Sequence, residues 1–192
     1  IGGSFAKAYH EAGWKVLAHN RSRSVLDFAK ISGAVDDELT HENISECDLV
    51  LITVYPAAAA RYLEAAAPHI GKKPVVIDCC GTKRVVCKAC FPLAEKYGFT
   101  YLGGHPMAGS EKTGLSNASE TLLENAYYII TPTTKSPSPA VEELTELVRS
   151  LGAIPLVLGY EQHDYATAAI SHLPHVIALS TWCGNRTMKM RS

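Results

Sequence analysis

Two short stretches constrain this chain more than any others. Residues 48–55 read DLVLITVY and residues 74–79 read PVVIDC. Each is a short, nearly continuous apolar run. That is the pattern of a strand buried on both faces, as in a parallel sheet covered by helices. Segments of helical period follow both runs: an alanine-rich stretch at 57–67, and 83–97.

The same alternation extends along the chain. Helices are predicted at 4–12, stopping at Gly13, and at 23–32, stopping at Gly33, with a strand at Trp14–His19 between them. A strand at Phe99–Gly103 leads into a glycine-rich loop. A short helix near 118–124, a strand at 126–131, a helix at 140–151 and a strand at 153–158 come next, and 161–182 reads as helix. Strands alternating with helices of this length predict an α/β fold with a doubly wound, Rossmann-like, mostly parallel sheet. The shift to helix after Gly159 divides the chain into a nucleotide-binding unit, 1–159, and the beginning of an all-α unit, 160–192.

Charge and cysteine usage narrow the function classes. Eighteen basic and 19 acidic residues nearly cancel, with no basic stripe for nucleic acid. No apolar run is long enough to predict a membrane helix. The six cysteines (Cys47, Cys79, Cys80, Cys87, Cys90, Cys183) do not form the short, loop-rich pattern of a secreted disulfide scaffold. They read as reduced, buried thiols in a cytoplasmic protein. Cys87-Lys-Ala-Cys90 has redox or half-zinc spacing, but it lies in a helical pattern with no second such pair.

The chain opens Ile-Gly-Gly-Ser directly into a helix. Glycines at the start of a helix suit a dinucleotide, whose pyrophosphate sits on the helix N-terminus. Gly2, Gly3 and Ser4 are therefore candidate cofactor residues. The strand and first two glycines that would precede them are not in the sequence, which reads as a piece of a longer protein. After the next strand, His19-Asn20-Arg21-Ser22 lacks the acid that usually binds the ribose of NAD. Asn20, Arg21 and Ser22 instead suit a 2′-phosphate, pointing to NADP over NAD. Thr53, Val54 and Pro56 close a buried strand and are expected to make backbone-level cofactor contacts.

Two further segments carry the most specific signal: GGHPMAGSEKTG at 103–114 and HDYATAAISHLPH at 163–175. Together with IGGS and VIDCCGTK at 76–83, they resemble the prephenate dehydrogenase family over nearly the whole chain. The resemblance implies oxidative decarboxylation of prephenate to 4-hydroxyphenylpyruvate on the route to tyrosine, with hydride passing to NAD(P)+. Some relatives use arogenate. Family members continue into a long helical domain that dimerises and completes the site. The isolated 192 residues are therefore expected to be inactive, with the arginine for the ring carboxylate lying beyond residue 192.

Removing hydride from the carbon bearing the ring hydroxyl creates a carbonyl, so the hydroxyl proton needs an acceptor. A neutral imidazole that titrates near the working pH suits that role, and His105, following a strand into the crevice at the sheet edge, is the candidate. The resemblance places Ser110 and Glu111 in the substrate pocket and His175, the second candidate catalytic residue, near the pyruvyl side chain, with His172 beside the substrate or supporting it. Lys112 reads as a solvated ion-pair residue and Gly114 as a turn. Gly81 stands where many relatives carry a serine that orients the histidine; it is assigned to the cofactor, and its neighbour Thr82 to the substrate as a replacement hydroxyl. Lys83 is expected at the turn and the cleft mouth. Asp78 is expected to cap the following helix or touch ligand, and His163-Asp164 to start a helix.

Other readings compete. A hydroxyacid or phosphogluconate-type dehydrogenase also fits Asn-Arg-Ser, but such enzymes generally use a lysine where this chain has histidines. A metal hydrolase would use His105, His163, His172 and His175, without an HExxH motif. A non-catalytic cofactor-binding remnant is the third.

Overall fold

The computed structural model describes residues 1–109 and 114–180. Five strands form the main sheet in the order β3 (Leu49–Ile52), β4 (Val75–Asp78), β5 (Thr100–Pro106), β6 (Tyr127–Thr131), β7 (Ile154–Val157). β3, β4 and β5 run parallel, β6 is antiparallel to β5, and β7 is parallel to β6. A separate parallel pair joins β1 (Leu17–Ala18) to β2 (Asp37–Glu38). The helices are α1 (Gly2–Glu11), α2 (Arg23–Ile31), α3 (Pro56–Ile70), α4 (Arg84–Tyr97), α5 (Ser138–Ser150) and α6 (Tyr160–Thr167).

Alternate side chains of each strand feed two cores. Val50, Ile52, Val76 and Tyr101 pack with Leu63, Ala66 and Ile70 of α3 and with Val86, Cys87 and Cys90 of α4. Ile77, Leu102, Tyr128 and Ile130 pack on the opposite face with Phe5 and Tyr9 of α1 and Leu144 and Val148 of α5. Burial on both faces explains why the central strands lack polar alternation.

Several elements differ from the sequence-based expectation. The Trp14–His19 strand contracts to Leu17–Ala18. The Val16 N–H is taken by the Asp36 carboxylate at 2.7 Å rather than by a strand partner. α3 runs through Pro68 to Ile70, anchored by buried Ala66, Ala67 and Ile70. The helix expected near 118–124 is a 3-10 turn at Leu115–Asn117 followed by turns. The strand expected to stop at Gly103 continues through Gly104 and His105 to Pro106, because β6 pairs with all four of these residues. His105 therefore stands on a strand, not in a flexible loop.

The final helical segment is broken. α6 gives way to a π turn at Ala168–His172, and helix resumes at 173–180. Pro174 has no N–H to return to Ile170 four residues back, and the widened turn lies just ahead of it. Among the described residues, no helix is long and apolar enough to cross a membrane.

Candidate active site

The site is built where β4 and β5 end. β4 stops at Asp78, which is fully buried together with Lys83 and Tyr101 on the adjoining turn and strand. One Asp78 oxygen accepts the Tyr101 hydroxyl at 2.6 Å and the Gly104 N–H at 3.4 Å. The other accepts the Cys80 N–H at 2.9 Å and the Lys83 ammonium. Lys83 also donates to the Gly104 carbonyl. Lys83 is thus an internal tie between the β4–α4 turn and β5, not a residue of the cleft mouth. Its buried charge is balanced by a carboxylate that has partners for both oxygens, which is what burial of an ion pair demands.

That tie accounts for the glycines before His105. A Cβ on Gly104 would lie 2.6 Å from the Asp78 carbonyl and 2.7 Å from Ile77. One on Gly103 would collide with Thr131 and Cys87. Gly103 and Gly104 permit close approach to neighbouring strands, so the glycine density serves packing as well as presentation.

His105 is half-buried. Its Nδ1 lies 2.8 Å from Nε2 of the fully buried His163 on α6. The two rings meet nearly edge to face, with centroids 5.0 Å apart. Thr167 Oγ1 lies 3.4 Å from the same His163 nitrogen. On its other side His163 Nδ1 contacts an Asp164 oxygen at 2.8 Å. Asp164 also accepts the backbone N–H groups of Lys83 at 2.7 Å and Arg84 at 2.9 Å. It is therefore Asp164, not Asp78, that caps the first turn of α4. Asp164 lies well inside α6 and serves the positive end of another helix.

Burial, then His163, then Lys83 depress the His105 imidazole to about 4, well below its ordinary value near 6.5. The ring is neutral at physiological pH but less basic than a free imidazole. Burial also lowers His163, against the opposing pull of Asp164. Burial favours a raised Asp164 pKa, but the Lys83 and Arg84 amides and His163 outweigh it and hold the carboxyl below its usual range.

The outer ring nitrogen of His105 looks toward Gly81. A Cβ built there would sit 3.6 Å from Nε2, so glycine places no side chain against that nitrogen. Thr82 is exposed on the same turn.

The candidate cofactor residues gather at the start of α1. Its first turn has no side-chain cap, so its backbone donors remain available for an anion. A Cβ on Gly2 would lie 2.5 Å from Thr53 Oγ1, and one on Gly3 would lie 2.6 Å from Leu115. The hydroxyl of buried Ser4 is engaged by the Ser119 N–H at 3.2 Å, leaving its backbone for a ligand. Val54 is exposed beyond β3, and Pro56 opens α3. Past β1, Asn20 accepts the Ser22 N–H at 2.9 Å, shaping a turn from which Arg21 projects into solvent. These are the residues that could hold a dinucleotide, with its phosphates at the start of α1.

His172 and His175 are not brought to His105. Both are exposed, and His175 Nδ1 bonds the Ser171 carbonyl within its own helix at 2.7 Å. Ser110, Glu111 and Lys112, and Cys183, Arg186 and Arg191 of the tail, lie outside the described residues. Among the described residues, no group of three or more His, Cys, Asp or Glu side chains is arranged to hold a metal ion. What sequence reasoning missed is the approach of His163 to His105. The adjacent His163-Asp164 pair was visible, but its convergence on a residue 58 positions away was not.

A helix-flanked, largely parallel sheet whose strand ends face an uncapped, glycine-opened helix defines a Rossmann-like nucleotide-binding domain. Residues 5–156 match the family "Prephenate dehydrogenase, nucleotide-binding domain", and the chain belongs to that family. It is 36% identical over 186 residues to the prephenate dehydrogenase of Bacillus subtilis (strain 168), covering 94% of this chain and 50% of that protein. It is 31% identical over 184 residues to the enzyme of Lactococcus lactis, covering 93% and 49%. The chain thus spans about half the length of these curated relatives. Synechocystis arogenate dehydrogenase superposes with a TM-score of 0.87 at 26% identity, covering 95% of this chain and 66% of that one. The Aquifex aeolicus prephenate dehydrogenase in complex with hydroxyphenyl propionate and NAD+ superposes with 0.79 at 25% identity, covering 95% and 65%. Prephenate dehydrogenases are NAD(P)-dependent oxidoreductases, so the fold and the family agree.

Proposed function

We propose that this chain is the nucleotide-binding part of an enzyme that oxidatively decarboxylates prephenate, with His105 as the base. The observation that carries this reading is the placement of a neutral imidazole at the end of β5, its outer nitrogen beside a residue without a side chain, Gly81. The nicotinamide, when bound, supplies the hydride acceptor. Gly2, Gly3 and Ser4 hold its phosphates through backbone N–H groups, with Thr53, Val54, Pro56 and Gly81 along the path between phosphate and ring. His105 Nε2 takes the proton of the ring hydroxyl as the carbonyl forms, and loss of CO2 completes the aromatic product. The Lys83–Asp78 tie holds the strand end, so the imidazole needs little reorganisation.

Residues 1–159 form the nucleotide unit in this reading, and the chain from 160 onward opens the helical unit that carries the remaining substrate contacts and the dimer interface. Thr82, Ser110, Glu111, His172 and His175 are the residues this reading assigns to prephenate. Arg21 and Ser22 favour NADP. Arogenate is the second substrate reading, supported by the close superposition on the Synechocystis enzyme.

The test is nicotinamide reduction by the whole protein carrying this chain, with prephenate or arogenate against NAD+ or NADP+. Turnover of prephenate is expected, higher with NADP+, and an Arg21→Ala variant is expected to lose that preference. Absence of reduction with both substrates overturns the assignment.

A further inference from the structure

His163 and Asp164 have no part in the reaction as written, yet they are joined to its base through α6. We propose that they are positioning residues that fix the tautomer of His105, leaving the lone pair on the nitrogen that faces the reacting hydroxyl. This inference rests on the reading of His105 as the base.

The polarity follows from the far end of the line. An ionised carboxylate only accepts hydrogen bonds. Asp164 is kept in that form by the two backbone N–H groups of Lys83 and Arg84 at the start of α4. The 2.8 Å contact between Asp164 and His163 Nδ1 therefore has its proton on the ring. A neutral His163 then offers only a lone pair at Nε2. The 2.8 Å contact from there to His105 Nδ1 must be made by a proton on His105. Thr167, at 3.4 Å, is a second and longer donor to the same His163 nitrogen and leaves this polarity unchanged. A neutral His105 protonated at Nδ1 is bare at Nε2, the atom beside Gly81. When Nε2 takes up a proton, the imidazolium faces a line that ends in an anchored carboxylate. His163 is completely enclosed, so water does not compete for its nitrogens.

The line joins three separate elements: the end of β5, the middle of α6 and the first turn of α4. Docking of α6 thus both orders the base and caps the helix leading from Gly81.

Histidine-selective 15N labelling of the whole protein reads the tautomer directly. His105 is expected to carry its proton on Nδ1 in the wild type. In Asp164→Asn and His163→Leu it is expected to shift to the Nε2–H form or a mixture. His163→Gln, whose carbonyl oxygen can accept from Nδ1, is expected to restore the wild-type form. Prephenate turnover should fall about 100-fold in the first two variants, with KM nearly unchanged, and recover substantially in the third. A wild-type His105 protonated at Nε2, or a tautomer unmoved in both disruptive variants, overturns the proposal. The expected tautomers with turnover unaffected by these changes and by His105→Asn would leave the positioning role intact and remove the functional reading instead.

Discussion

His163 and His175 are 12 residues apart in one helical segment, and their surroundings are opposite. The first turns of that segment are locked: His163 and Thr167 are buried, and Asp164 bonds to another helix. From the π turn onward, Ile170 is 75% exposed and Ile177 57%, with Leu173, Val176 and Leu179 also open to solvent. One region has partners for its buried polar groups, and the other, among the described residues, turns apolar side chains mostly to solvent. The contrast shows that two histidines of one motif can take up unlike surroundings. Only the part docked against β5 and α4 is fixed by the described residues.

The largest expected effect comes from breaking the locked region at its charge. Lys83→Met leaves Asp78 buried without its cation and is expected to cost about 3–5 kcal/mol in urea unfolding. Adding Asp78→Asn to that variant should recover part of the loss, because the isolated carboxylate is the main cost. A loss below 1 kcal/mol for Lys83→Met would show that the tie is not stabilised as drawn.

Acid should reveal the same region. Below about pH 6.5 the unfolded chain takes up a proton that folded His105 refuses until about pH 4. His163 acts in the same direction. Their contribution is therefore complete above 6.5 and declines as pH falls toward 4. Chemical unfolding at pH 7.5, 6 and 5 is expected to show falling stability, with a shallower slope in His105→Asn. A flat profile across that range contradicts the burial assigned to these rings.

The smallest effect belongs to the open region. Leu179→Ser should change unfolding stability by no more than about 0.5 kcal/mol, because that side chain is already 62% exposed. A large loss would show that this face is covered in the protein tested.

Much of the fold was legible in the sequence because it depends on local pattern. Doubly buried strands, helical period and closing glycines marked β3, β4, α2 and α4 to within a few residues. β2 escaped notice because two polar residues, Asp37 and Glu38, carry no strand signature. The extension of β5 was illegible for another reason: Gly-Gly-His-Pro has poor strand propensity, and pairing with β6 holds it extended. The site divides along the same line. His105 and the glycines of α1 stood out by motif. Lys83 stands at the turn where the sequence put it, but buried rather than at the cleft mouth, since only the folded chain shows the carboxylate that makes its burial tolerable. The role of Asp164 as cap for a helix about 80 residues earlier had no local trace.

The central claim is that the imidazole at position 105 removes the hydroxyl proton. His105→Asn in the whole protein tests it most directly, with kcat for prephenate oxidation and the dissociation constant for the nicotinamide cofactor measured side by side. The account predicts a fall in kcat of about 100- to 10,000-fold, the range for a lost general base, with cofactor affinity within about twofold of wild type. A variant that turns over prephenate within a few-fold of the wild-type rate would contradict it.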